Sequence, residues 1–149
     1  LKEFLSPMET RRMSKLMKAS LLSAFCALKE AGLKAPDAIV TATSKGMLEL
    51  STQFLEEIAE NKEELLKPTL FMQSTHNTIG SAIAIRTGCH GYNITYSQGT
   101  ESAFWAERDA GQLLREGEAK TVLVCEFDEE LQNGRTCRFR AESTIYTIG

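Results

Sequence analysis

The segment Thr121-Val-Leu-Val-Cys-Glu-Phe127 restricts this chain most. It is β-branched, almost continuously apolar, and too short for a buried helix. A strand of that composition has no wet face, so it needs cover on both sides, as an inner strand of a parallel sheet has. Ala38-Ile-Val-Thr-Ala-Thr43 is a second run of this type. Segments of helical period lie before and between the two runs. Strands alternating with helices give an α/β fold, a layered, mostly parallel sheet with helices on its faces. With 149 residues the chain suits one domain around a single core, spanning 1–149, with a first strand expected upstream of Leu1.

The intervening elements follow from period and punctuation. Ser14 to Ala31 is predicted to be a helix, with Leu16, Ala19, Leu22, Phe25 and Cys26 inward, Ser14 as its cap and Gly32 as its stop. Met47 to Asn61 reads as an amphipathic helix with Leu48, Phe54, Leu55 and Ile58 inward. Lys62 to Pro68 extends it by a turn until Pro68 interrupts it. Thr69 to Thr75 reads as irregular or extended. Thr78 to Thr87 is a small-residue helix, apolar almost all round and ended by Gly88, suited to burial or to a subunit interface. Tyr92 to Ser97 is a strand and Glu101 to Glu116 a helix stopped by Gly117, with Phe104 and Trp105 divided between core and interface. Asn133-Gly134 signals a hairpin turn into Thr136 to Ile148, whose alternation marks an edge strand or hairpin.

Composition excludes several classes of function. A net charge of −3 argues against nucleic acid, which wants a basic face. The cluster Arg11-Arg12-Met13-Ser14-Lys15 reads as a solvated or salt-bridged helix start. No apolar run approaches the ~20 residues of a membrane span, and Leu1 to Thr10 lacks the apolar core of a secretory signal. Cys26, Cys89, Cys125 and Cys137 are widely spaced without a C-x-x-C pair, which suggests free thiols in a reducing, cytoplasmic setting. His76 and His90 lack ligand spacing to any Cys pair, so neither a metal nor another cofactor is expected.

The turn Ser97-Gln98-Gly99-Thr100 carries the chain from a strand into a helix N-terminus, where α/β enzymes often place a nucleophile. It holds no Cys, and no base is near in sequence. The four cysteines lie elsewhere: Cys26 on the apolar face of the first helix, Cys89 past the end of its helix, Cys125 inside a buried strand, and Cys137 in the last strand. None has the helix N-terminus or neighbouring cation that activates a thiol, so all four read as buried or inert.

Several stretches carry a family likeness. Gln73-Ser74-Thr75-His76-Asn77-Thr78 through Gly88, Gly91-Tyr92-Asn93-Ile94-Thr95-Tyr96, the helix ending Arg115-Glu116-Gly117-Glu118-Ala119, and Val122-Leu123-Val124-Cys125-Glu126-Phe127-Asp128 resemble the N-terminal half of β-ketoacyl-(acyl carrier protein) synthases. Arg11 to Leu16 is similar to the stretch preceding the first helix of those enzymes, so the likeness covers most of residues 11–130. No single motif is diagnostic; the joint order and spacing carry it. The resemblance implies a thiolase-like half-domain, usually paired as a dimer, and decarboxylative Claisen condensation through a Cys at the elbow, with two His or a His and an Asn from a second half.

Laid without gaps from Gly91, the family's Cys position falls on Thr100; a two-residue shift puts it on Gln98, where chain-length-factor subunits often carry Gln. The length of the helix up to Gly117 favours Thr100. The catalytic Cys is thus missing, and no stretch of the chain corresponds to the second half. Thr100 acts as a nucleophile only if a base reaches it; otherwise it caps the following helix. Gln98 either bonds a carbonyl in an acyl pocket or satisfies turn backbone. Glu101 favours the helix dipole. Ser97, Gly99, Glu101, His76 and Asn77 are candidate pocket or interface residues, with Asn77 as a helix cap and His76 as a satisfied structural histidine.

The expected function is therefore that of a non-catalytic β-ketoacyl synthase-like partner in fatty-acid or polyketide type synthesis. Its expected partners are an acyl carrier protein, another ketosynthase subunit, or both, in a homo- or heterodimer with no nucleic acid or membrane. One alternative is a fragment of an active 3-oxoacyl-(acyl carrier protein) synthase. Another is a structural dimerisation module pairing through Tyr92–Ser97 and Thr78–Thr87.

Overall fold

A computed structural model describes residues 4–61, 64 and 66–149. The first element among the described residues is a short helix, α1 (Pro7–Thr10), begun by a capping box in which Ser6 and Glu9 satisfy each other's backbone. Helix α2 (Lys15–Glu30) starts where expected, with the Ser14 hydroxyl accepting the Met17 N–H, and ends at Gly32, whose φ of +67° only glycine adopts freely. Its buried stripe is Leu16, Met17, Leu21, Ala24 and Leu28. Leu22, Phe25 and Cys26, expected inward, are only half-buried, because the helix turns its Leu21 side squarely to the sheet.

Strand β1 (Ala38–Ala42) is buried at every position. It leads through a loop into α3 (Leu48–Asn61). Leu50 of α3 is buried, as is Met47 just before it, whereas Leu55, expected inward, is exposed and Phe54 lies against Phe71 with ring centroids 5.4 Å apart. The added turn expected over Lys62–Pro68 lies partly outside the described residues. Pro68 does not end a helix but begins one, α4 (Pro68–Ser74), at the position where its missing N–H costs nothing. The extended reading of Thr69–Thr75 is therefore wrong.

Helix α5 (Thr78–Thr87) buries Ile79, Gly80, Ala82 and Ile83 but leaves Ile85 open to solvent. Then come β2 (Asn93–Tyr96), one 3₁₀ turn (Gly99–Glu101), α6 (Ser102–Arg115), β3 (Thr121–Gln132) and β4 (Arg135–Thr147). Strand β3 outruns the predicted Thr121–Phe127 because β4 pairs with it antiparallel along its whole length, from Thr121↔Thr147 to Gln132↔Arg135. Asn133 and Gly134, both at positive φ, make the expected turn.

The sheet order is β2-β1-β3-β4, parallel across the first three strands and antiparallel at the last. Side chains alternate between its faces. Ile39, Leu123, Cys125 and Phe127 pack with α2, α5 and Met47 on one face. Val40, Ala42, Val122 and Val124 pack with Ala106, Ala110 and Leu113 of α6 on the other. Helices cover both faces, as the two apolar runs require. On α6 neither Phe104 nor Trp105 faces the core; both are largely exposed and meet edge to face, because the alanines fill the contact with the sheet. Among the described residues no helix is long and apolar enough to cross a membrane.

Candidate functional site

Strands β1 and β3 leave the sheet in opposite directions, to β2 on one side and β4 on the other, so their carboxyl ends form a topological switch point. A cleft of about 490 Å³ lies there. Its walls come from the end of β1 with its loop (Thr43, Ser44, Lys45), the start of α6 (Thr100, Ser102, Ala103), and the β3–β4 hairpin.

The elbow from β2 into α6 is built around Ser102. Its buried hydroxyl accepts the Gln98 N–H at 2.7 Å and donates toward the Thr43 and Gly99 carbonyls at 2.9 and 2.8 Å. The elbow is thereby tied to the end of β1. Thr43 continues the chain of bonds: its hydroxyl donates to Asp128 Oδ1 at 3.0 Å and accepts the Gly46 N–H at 2.8 Å. The same Asp128 oxygen accepts the N–H groups of Ser44 and Lys45. Next along β3, the buried Glu129 accepts the Glu49 N–H in the first turn of α3 and the Thr136 hydroxyl. Sequence reading missed Ser102, Thr43 and Asp128. These residues lie 59 and 85 positions apart along the chain, and only their place at strand and helix ends marked them.

Thr100 lies inside the 3₁₀ turn, exposed at the rim of the cleft. It is not the helix cap expected of it: α6 is preceded by Glu101, without a side-chain cap bond, and Ser102 ties down the turn instead. No acid or base hydrogen-bonds Thr100 among the described residues. Ser97 and Gln98 are exposed, and Gln98 contributes its backbone N–H rather than its amide side chain. Gly99 sits at φ +59°, the conformation that bends the elbow.

His76 and Asn77 lie apart from the cleft, between α4 and α5. Asn77 precedes α5 but makes no side-chain cap bond, contrary to expectation. His76 is exposed and its ring lies beside Gly46, so close that a Cβ there would lie 2.8 Å from His76 Nε2. It has no hydrogen-bond partner among the described residues, so it is held by packing and not by the satisfied bonds expected.

Two ion pairs line the cleft. Arg140 bridges Glu126 at 2.8 Å and Arg138 meets Glu130 at 3.4 Å. The four thiols are free. Burial pushes the Cys125 thiol up to about 11, so it is no nucleophile. Cys137, expected buried or inert, is exposed. It lies on the edge strand, where its thiol donates to the Glu130 carbonyl.

A mostly parallel sheet, helices on both faces and a strand-to-helix elbow at its switch point define a thiolase-like half-domain. Residues 2–147 match the family "Beta-ketoacyl synthase, N-terminal domain", and the chain belongs to it. It is similar to the structure of the ketosynthase ApeO in complex with its chain length factor ApeC from Xenorhabdus doucetiae, with TM-score 0.81 and 24% identity over 97% of this chain and 62% of that one. The ishigamide ketosynthase/chain length factor matches with TM-score 0.74 and 25% identity, over 89% of this chain and 39% of that one. The ketosynthase of module 1 of the bacillaene synthase from Bacillus amyloliquefaciens FZB42 matches with TM-score 0.67 and 20% identity, over 87% and 23%. The chain thus spans less than two thirds of each of these solved chains. No curated protein matches it.

Proposed function

We propose that this chain is a single, non-catalytic ketosynthase-like domain that serves beside another ketosynthase subunit in polyketide or fatty-acid type synthesis. The observation that supports this reading is Thr100, an exposed hydroxyl at the cleft rim without an acid or base bonded to it among the described residues; on the resemblance it takes the position of the family's Cys.

The open edge of the sheet supports a protein partner. Strand β2 ends the sheet, and Tyr92, Ile94, Phe104 and Trp105 are exposed along and beside it. Such an edge invites another strand. On this reading a ketosynthase subunit docks there, an acyl carrier protein delivers the chain to that subunit, and the assembly works in the cytoplasm. Ser97, Gly99 and Glu101 then form the rim of a shared pocket, with no metal or cofactor required.

The test incubates the purified chain with malonyl- and acyl-carrier protein. No 3-oxoacyl product is expected from the chain alone, and any such product overturns the proposal. A Thr100→Cys variant challenged with an acyl-enzyme mimic checks the alignment. Absence of labelling in the folded variant moves the family's Cys position to Gln98 or removes it.

The short span relative to the solved chains favours one other reading, the N-terminal half of a longer, active synthase. An open reading frame encoding a second catalytic half beyond Gly149 would support it.

A further inference from the structure

The tip of the β3–β4 hairpin takes no part in the bonding of the elbow, yet it places two reactive groups side by side. Asn133 is exposed and is the one non-glycine residue at positive φ among the described residues, at +52°. Asparagine tolerates that conformation better than most side chains. Neither its side-chain amide nor the following Gly134 N–H has a hydrogen-bond partner among the described residues. Gly134 has no side chain to screen its nitrogen. A Cβ added there would meet Glu56 Oε1 at 3.8 Å and Thr52 Cγ2 at 4.0 Å, ordinary contact distances, so α3 leaves the tip room to move.

The tip is also lightly tied to the sheet. Two pairs, Gln132↔Arg135 and Leu131↔Thr136, hold it before the register shifts and leaves Cys137 without a partner in β3. The turn can therefore open without the rest of the ladder. The other three asparagines differ. Asn61, Asn77 and Asn93 are followed by Lys62, Thr78 and Ile94, whose side chains crowd the next nitrogen. The Thr78 N–H is already given to the Thr75 carbonyl, and Asn93 donates its amide to the Gly80 carbonyl at 3.2 Å.

We infer that Asn133 is a site of spontaneous deamidation whose isoaspartate product loosens the hairpin beside the elbow cleft. The Gly134 nitrogen attacks Asn133 Cγ, gives up its proton to solvent and expels the amide as ammonia, which closes a cyclic succinimide. Water then opens the ring. Attack at Cγ yields aspartate; attack at the backbone carbonyl yields isoaspartate, in which the main chain runs through the former side chain. No oxidant or reductant takes part. Isoaspartate lengthens the main chain of a two-residue turn, and loop length fixes hairpin register. The pairs next to the turn are the first to give way. Thr136 belongs to one of them, and its hydroxyl meets Glu49 of α3. Glu129, Glu130, Arg138 and Phe139 of the same hairpin line the elbow cleft. The chemistry at the tip is independent of the role proposed for the elbow.

The test incubates the folded full chain in mildly alkaline buffer and follows its tryptic peptides by mass spectrometry. The peptide 121–135 should gain the mass of an amide-to-acid exchange at least about tenfold faster than the peptides carrying the other asparagines. Isoaspartyl methyltransferase should label the aged protein and not an aged Asn133→Gly variant, whose Gly-Gly turn keeps the positive φ. The peptide mass locates the site in the parent whether or not that variant folds. After separation by ion exchange, the isoaspartate form should exchange the amides of residues 131–136 at least about threefold faster than the parent, with those of 122–124 unchanged. Conversion of Asn133 no faster than the rest, labelling that persists in Asn133→Gly, or unchanged exchange at the tip of the isoaspartate form would each overturn the inference.

Discussion

Replacing Ser102 with Ala tests the construction of the elbow. The change removes one buried oxygen and leaves the helix backbone intact. Three groups lose a contact: the Gln98 N–H, bonded at 2.7 Å, and the Thr43 and Gly99 carbonyls at 2.9 and 2.8 Å, which share the hydroxyl's one proton. A neutral bond contributes about 1 kcal/mol net, and a buried group left without a partner costs about 1–3 kcal/mol, so the expected loss is about 2–3 kcal/mol. For a domain of this size that lowers Tm by about 4–10 °C. Urea unfolding followed by circular dichroism should show a lower midpoint with unchanged m. Amide exchange at Gln98 should speed up more than at residues in the middle of β3. A loss below about 0.5 kcal/mol would refute the reasoning, since a surface substitution costs no more than that.

Gly91→Ala should be more damaging. Its Cβ would lie 1.9 Å from the Asp37 carbonyl oxygen, so the strand entry must move, at a cost of about 3 kcal/mol or more; a thermal melt within 2 °C of the parent, roughly a 1 kcal/mol effect, would contradict this. Asp37 accepts the N–H groups of Lys120 and Thr121 and the Thr121 hydroxyl, which together hold its carboxyl below the ordinary range despite some burial. Its contribution is therefore complete above the unfolded value of about 3.9 and is lost as pH falls through the lower folded value. Asp37→Asn should be less stable than the parent near neutrality, and the gap should close in acid. A gap that stays constant with pH would exclude the carboxylate's role. With an alkylating reagent Cys137 should react first and Cys125 only on unfolding, since one is exposed and the other buried. Mass spectrometry of partly labelled protein reads that order.

What the sequence disclosed was set by distance along the chain. The two apolar runs, the Ser14 cap, the Gly32 stop and the Asn133-Gly134 turn are local signals, and each element follows from residues within a few positions of one another. Helix α4 was misread because Thr69-Leu-Phe-Met looks extended in isolation. Pro68 punctuates both kinds of structure, and only packing of Phe71 on Phe54 settles the helix. The position of the elbow was legible, but its internal bonding was not. Thr100 sits within a 3₁₀ turn that precedes the helix, which hands the hydroxyl's work to Ser102. Asp128 had no local sign of its role, since its partners Thr43, Ser44 and Lys45 lie more than eighty residues away. The α1 capping box, by contrast, was visible as Ser6-x-x-Glu9 and could have been read.

The topology of the sheet also governs how the chain reaches its native state. Strand β1 pairs on both sides with strands made much later, and Asp37 at its entry meets Thr121, 84 residues on. Closing such long loops carries an entropy cost before any contact rewards it, which slows folding. The β3–β4 hairpin has no such obstacle, since a two-residue turn joins its strands. During synthesis, then, the wholly buried β1 emerges early and waits without its strand partners until β2 and then β3 follow, the interval in which this chain is most exposed to aggregation.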